Sequence, residues 1–167
     1  MIFKIIALVI IFIVCSLIGI ILSYEFIRRE QELKDIILML EKLKTQIEYS
    51  HTTVKDIMLS LSNEFLKLSF LNDAYLLMCQ KNSFKTAWEV AINQSNLRIK
   101  NADKNLLHKL GDIIGSYDVS TQIKEIKIIE KFLNASLEVS IQEKQKKTHL
   151  YQSLGVLGGL MLVMIIV

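Results

Sequence analysis

Hydrophobic residues are concentrated at the two ends of the chain, whereas the middle mixes apolar and polar residues with a helical period. Residues 5–24 contain 17 hydrophobic positions of 20, and residues 154–167 contain 11 of 14. Between these segments, apolar positions recur at spacings of three and four, as one buried helix face requires. Strand-like alternation of any length is absent from the sequence. The pattern predicts an all-α protein, a membrane-anchored bundle of about six helices with a hydrophobic helix at each end.

Residues typical of helix ends divide the middle of the chain. Thr52 or Thr53, Ser83 and Asp118 can each accept a hydrogen bond from the free N–H groups that begin a helix. Gly115 suits the position after a helix, where a left-handed residue ends it without steric cost. The expected helices run from the N-terminal segment to about residue 47, from 54, over about 71–79, from 84, over about 102–114, and from 119 onward.

The core face of the expected bundle follows from the same periodicity. The apolar stripe of the last expected helix ends before residues 142–147, so this stretch is expected to be a solvated helical stalk. The residues expected to be most central in the core are Trp88, Leu106, Leu110, Ile123 and Leu133.

Both hydrophobic ends are predicted to be membrane segments. An uncharged run of 20 residues at 5–24 is long enough to cross a bilayer. It also exceeds the apolar core of a cleaved signal peptide, the competing interpretation. The final segment is shorter and reaches a spanning length only from Tyr151, so a buried C-terminal helix is its alternative. The expected organisation is an anchor at 1–25, a cytoplasmic bundle at 26–150 and a short transmembrane segment at 151–167.

Small residues form a stripe in each hydrophobic end. Cys15, Gly19 and Ser23 follow one another at four-residue spacing, and Gly155 and Gly159 form a GxxxG pair. Such stripes let helices approach closely where lipid supplies no hydrophobic drive for association. We hypothesise that the two stripes pair, either within one protomer or between protomers of a homo-oligomer.

Charge agrees with this organisation and indicates its orientation. The net charge of +3 is small and gives no case for nucleic-acid binding. The chain also contains no proline. Lysine and arginine close to membrane segments are typical of the cytoplasmic side. The middle domain is therefore expected to face the cytoplasm, because six basic residues flank its two ends: Arg28, Arg29, Lys34, Lys144, Lys146 and Lys147.

Sequence signals for catalysis or metal binding are missing. His51, His108 and His149 lie too far apart along the chain to form a metal-binding spacing. Cys15 lies in an expected membrane segment and Cys79 in the cytoplasmic domain, so we expect free thiols. The sequence contains no phosphate-binding loop, dinucleotide fingerprint or nucleophile elbow. We expect no catalytic residues, no metal and no cofactor, and therefore no enzyme.

Three stretches resemble a known family. They are Lys-Thr-Ala-Trp-Glu at 85–89, Leu-Gly-Asp-Ile-Ile-Gly-Ser-Tyr-Asp at 110–118 with Gln122 following, and Ser-Leu-Gly-Val-Leu-Gly-Gly-Leu at 153–160. Together with the length and both hydrophobic ends, they resemble the stage III sporulation protein AB family over nearly the whole chain. One departure is the pair Thr52-Thr53, where the family usually has Thr-Pro.

The resemblance implies a role in endospore formation. Members of that family sit in the mother-cell-derived outer forespore membrane, as part of a channel between mother cell and forespore. Their cytoplasmic domain is similar to that of the inner-membrane platform F-protein of type II secretion and type IV pilus machines. By that analogy, the expected partners are a secretion-type ATPase, stage III sporulation protein AA, and other channel proteins.

Two functional hypotheses follow. The first is a non-enzymatic platform that couples the ATPase to the channel, and its candidate contact residues are Gly111, Asp112, Gly115, Asp118 and Gln122. Each of these also has an ordinary structural role at a helix end. The second is a membrane-bound enzyme or sensor, which would need a buried polar cluster in a deep cavity of the bundle.

Overall fold

The computed structural model describes residues 2–49 and 52–166, and among them the structure is helical. The side chains of residues 2, 4–8, 11 and 166 also lie outside the description, and they include part of the expected first membrane segment. The six helices are α1 (Ile2–Tyr49), α2 (Val54–Glu64), α3 (Ser69–Cys79), α4 (Phe84–Gln94), α5 (Asn101–Ile113) and α6 (Val119–Ile166). The predicted all-α class with about six helices is confirmed.

Local signals explain where the short helices begin and end. The Thr53 hydroxyl accepts a hydrogen bond from the Asp56 amide, and the Asp56 carboxylate accepts one from the Thr53 amide, which is a capping box. The Ser83 hydroxyl caps α4 through the Thr86 amide at 3.2 Å. Gly115 has a φ of 78°, which its lack of a Cβ atom allows, and it follows α5 as expected.

The chain divides into two compact units. One unit, which we call the terminal helix pair, consists of Met1–Glu30 and Glu138–Val167. The other unit, which we call the bundle, consists of Gln31–Leu137. Both divisions fall inside long helices, because α1 and α6 each contribute to both units.

The bundle is built around one apolar core. In it α2 packs on α3, α3 on α4 and α4 on α5. Of the residues expected in the core, Trp88, Leu110 and Leu133 are fully buried, whereas Leu106 and Ile123 are half-buried. Among the described residues, the buried members of the core are aliphatic or aromatic, and they include Leu33, Ile36, Leu40, Met58, Leu61, Phe70, Leu71, Ile92 and Leu107.

One helix in the described part of the chain is long and apolar enough to cross a membrane. It is Val119–Ile165 within α6, and its apolar window is almost entirely exposed. A helix that presents so much apolar surface outward is stabilised by lipid rather than by water. This observation agrees with membrane association of the C-terminal segment.

Candidate functional site

The connection between α5 and α6 contains the candidate contact residues. We call residues 111–122 the α5–α6 corner. The side-chain amide of Gln122 donates to the Tyr117 carbonyl at 2.6 Å and accepts from the Gly115 amide at 3.4 Å. Because Gln122 is only 8% exposed, its side chain holds the loop together from inside. The loop residues between Gly115 and Gln122 therefore form an ordered, exposed surface.

Asp118 caps the first turn of α6. Its carboxylate accepts hydrogen bonds from the Ser120 hydroxyl at 2.5 Å and the Thr121 amide at 3.1 Å. These bonds favour the charged form and lower the pKa of Asp118 to about 2, with the Ser120 hydroxyl as the largest cause. The cap is therefore strongest with the carboxylate ionised.

Acid is expected to release this cap. The folded pKa of Asp118 lies below its ordinary value of 3.8, so the stabilisation is present above about pH 4 and is lost as the pH falls through about 2. We expect the Thr121 amide resonance of the detergent-solubilised chain to titrate with a midpoint near pH 2. In the Asp118→Asn variant, which keeps a capping oxygen, this titration should disappear. A wild-type midpoint near pH 4 would contradict the assigned cap.

The start of the corner is held against α4. Lys85 forms an ion pair with Asp112, with 2.7 Å between Nζ and Oδ1, and both side chains are exposed. The hydrogen bond to Asp112 is the main cause that raises the pKa of Lys85. Gly111 faces the ring of Trp88, because a Cβ atom at position 111 would lie 3.2 Å from Cδ1 of that ring. The corner and α4 are thus joined by both an exposed and a buried contact.

A cavity of about 360 Å³ opens beside the corner. Of the candidate contact residues, Asp112 lines this cavity, together with side chains that the sequence did not single out. Tyr117 is the most prominent of these, since 55% of it is exposed. In the sequence, an aromatic residue between the helix-ending Gly115 and the helix-capping Asp118 is the pattern that could have identified Tyr117. The residues that line the cavity are Lys109, Asp112, Ile113, Tyr117, Thr121 and Glu125.

The two stripes of small residues meet within the terminal helix pair of one chain. The Cα atom of Gly155 would lie 3.1 Å from a Cβ atom at position 19, and the Tyr151 carbonyl oxygen only 2.6 Å from it. At the other end of the stripe, Gln152 Nε2 donates to the Ser23 hydroxyl at 3.5 Å. The contact at position 19 requires glycine, and a Cβ atom at position 155 would lie a tight 3.0 Å from the Cys15 carbonyl oxygen.

The same stripes continue to Gly159, and a groove runs beside them. A Cβ atom at position 159 would lie 3.3 Å from the Cys15 Cβ atom. An apolar groove of about 520 Å³ borders the contact, and Gly158 faces it with no atom within 4 Å of the place where its Cβ would be. Gly155 and Gly159 therefore contact α1, whereas Gly158 does not.

Charged and aromatic side chains add further contacts between α1 and α6 within the terminal helix pair. Arg29 forms an ion pair with Glu143, and Lys144 forms one with Glu30 at 2.8 Å. Phe26 stacks on Tyr151 with 5.7 Å between ring centroids. The expectation of a solvated stalk at 142–147 was therefore wrong at Glu143 and Lys144, because α1 offers charged residues of opposite sign to them.

The buried carboxylate of Asp103 in the bundle has a structural role. Asp103 is 2% exposed, and its carboxylate accepts from the Ser136 hydroxyl at 2.5 Å and from the Lys100 amide at 3.3 Å. It therefore caps α5 and joins it to α6.

No group of three or more His, Cys, Asp or Glu residues suited to a metal ion occurs in the described part of the chain. His51 lies outside the described residues.

Comparison with known proteins assigns a family. Residues 4–167 match the family model of stage III sporulation protein AB. A stage III sporulation protein AB from Bacillus subtilis (strain 168) is 27% identical over 146 residues, which cover 84% of this chain and 85% of that protein. A solved structure of a stage III sporulation protein AB has a TM-score of 0.62 and 24% identity, covering 71% of this chain and 98% of that one. The resemblance seen in the sequence is confirmed, and the chain belongs to the stage III sporulation protein AB family.

Proposed function

We propose that the chain is a non-enzymatic membrane platform of the channel between mother cell and forespore. In this role the bundle couples a secretion-type ATPase in the mother-cell cytoplasm to the other channel proteins. The terminal helix pair holds the chain in the outer forespore membrane. The family assignment supports a role in sporulation, and the apolar end of α6 supports the membrane anchor.

The observation that carries the proposal is the ordered exposure of the α5–α6 corner. An exposed loop normally loses conformational freedom when it binds a partner, and that loss weakens binding. Here Gln122 and the Asp118 cap already order the loop, and the Lys85–Asp112 ion pair joins the end of α5 to α4. The exposed Tyr117 is therefore presented as a rigid aromatic anchor, the kind of residue that contributes most to protein interfaces.

The position of Gln122 changes which residues should be tested. Its amide is used inside the loop, so replacing it would disturb the loop rather than remove one contact to a partner. Tyr117 is the better target, because the Tyr117 side chain is exposed and only its backbone carbonyl takes part in the loop.

We expect Tyr117→Ser to reduce recovery of the ATPase about tenfold, the effect of losing about 1.4 kcal/mol of binding energy. A tagged full chain would be purified from membranes of sporulating cells, with the ATPase quantified by mass spectrometry. Leu66→Ser is the matched control, since Leu66 is 80% exposed and lies in the loop between α2 and α3. Equal recovery with wild type, control and Tyr117→Ser would contradict the proposed contact.

A further inference from the structure

The part of α6 in the bundle carries apolar residues on two faces. The first face is buried in the core, whereas Ile128 and Phe132 on the second face are 48% and 56% exposed. Ala135 continues this second face and is exposed as well. Large apolar side chains grouped on one exposed face are typical of an interaction site. The buried face consists of Ile126, Ile129 and Leu133.

The exposed face has the spacing of a coiled-coil seam. Ile128, Phe132 and Ala135 are separated by four and then three residues, as the inner positions of a heptad are. Thr121 and Glu125 extend the same spacing toward the α5–α6 corner and line its cavity. We call these five positions the α6 seam. Over 15 residues it is about 21 Å long, which matches four turns of a partner helix.

Lysines line one edge of the α6 seam. Lys124 and Lys131 are seven residues apart and therefore lie on the same side of the helix, and both are exposed. Neither forms an ion pair with another described residue, and the same is true of Lys127 nearby. Lys44 shows the contrast, because it is paired with Glu130 at 2.9 Å. No ion pair within the described chain therefore neutralises Lys124 or Lys131.

We propose that the α6 seam binds an amphipathic helix of a partner protein, with acidic residues along the edge that faces Lys124 and Lys131. The apolar positions of that helix would pack against Ile128 and Phe132. Its carboxylates would meet the two lysines, as flanking charges do in coiled coils. The proposal rests on Ile128, Phe132 and the two lysines rather than on Tyr117, and it does not depend on which protein supplies the helix.

Two other occupants fit the seam less well. A membrane-surface helix usually has a wide apolar face with basic residues on the polar side. This seam is narrow, contains Glu125 and has lysines along one edge only. A second copy paired in parallel would place Ser136 opposite Lys131 and so supply no carboxylate there.

Designed peptides can test the charge and the apolar contact together. The probes are a peptide with leucine at the inner heptad positions and glutamate at the flanking ones, and a second peptide with lysine replacing the glutamate. Binding to the full chain in phosphatidylcholine nanodiscs would be measured by fluorescence anisotropy. We expect the acidic peptide to bind more tightly than the basic one. Phe132→Glu should weaken its binding at least about tenfold.

Charge reversal provides the sharper readout. The Lys124→Glu, Lys131→Glu double variant should prefer the basic peptide, a change that misfolding would not produce. Leu76→Glu is the control for Phe132→Glu, because Leu76 is 50% exposed on α3. Equal binding of the two peptides, or an unchanged preference after charge reversal, would overturn the proposal. So would self-association that depends on Phe132. None of these results depends on recovery of the ATPase.

Discussion

Replacing Trp88 with alanine is expected to lower the free energy of unfolding of the bundle by about 3–5 kcal/mol, the usual cost of removing a large buried aromatic side chain. Trp88 is 1% exposed. Its ring meets Phe70 edge-on and Phe84 at a tilt, each with 5.4 Å between ring centroids. The cavity left by the alanine would border three helices, so its neighbours could fill it only in part.

Trp88→Phe separates the ring contacts from the hydrogen bond. The Trp88 indole N–H donates to the Leu107 carbonyl at 2.7 Å and so joins α4 to α5. A phenylalanine keeps an aromatic ring but removes this donor, at a cost of about 1 kcal/mol for the hydrogen bond. We therefore expect Trp88→Phe to fall between wild type and Trp88→Ala in stability.

Denaturant unfolding of the detergent-solubilised full chain would measure these differences, followed by far-ultraviolet circular dichroism. Fluorescence is unsuitable because Trp88 is the single tryptophan of the chain. Leu66→Ala is the control, since 80% of Leu66 is exposed and its loss should change stability little. If Trp88→Ala unfolded at the same denaturant concentration as this control, Trp88 would not be central to the core.

Helix positions could be predicted from the sequence because their signals are local. Ser83, Asp118 and Gly115 act within three or four residues of their own positions, through hydrogen bonds or through the backbone angle of glycine. The long α6 followed in the same way from the lack of any helix-breaking residue between Asp118 and Gly155. The resemblance to the family rested on short stretches and was likewise readable from the chain alone.

Contacts between distant residues could not be predicted in this way. The polar stretch at 142–147 has the pattern of a solvated helix. In the structure, however, Glu143 pairs with Arg29 and Lys144 pairs with Glu30, and both partners lie more than 100 residues earlier in the chain. Gln122 was selected as a surface residue, yet its amide lies inside the loop. Periodicity identifies a buried face but not its edge, and Ile123 is accordingly only half-buried.

Gly19→Leu is expected to separate α1 from α6 within the terminal helix pair. Lipid supplies no hydrophobic drive for pairing membrane helices, so close backbone packing must supply the stabilisation. Even the first side-chain atom at position 19 would lie 2.6 Å from the Tyr151 carbonyl oxygen. That oxygen belongs to the backbone of a helix, so relief of the clash requires the two helices to move apart.

A disulfide between Cys15 and a cysteine at position 159 would report the pairing. Their Cβ atoms would be 3.3 Å apart, within a few tenths of an ångström of the usual disulfide separation. In a Gly159→Cys, Cys79→Ser background, we expect oxidation in membranes to consume both thiols and leave the chain monomeric on non-reducing gels. Adding Gly19→Leu should lower the yield of this bridge about tenfold, consistent with an overpacking cost of about 1–3 kcal/mol.

Gly158→Leu is the matched control, because it places the same side chain in the other helix of the pair, α6, where no atom lies within 4 Å of the new Cβ. It should leave the yield of the Cys15 bridge unchanged. Bridges that form mainly between chains would instead indicate that the small-residue stripes pair between protomers. A bridge that survives Gly19→Leu as well as Gly158→Leu would show that backbone contact at Gly19 is not what holds the two helices together.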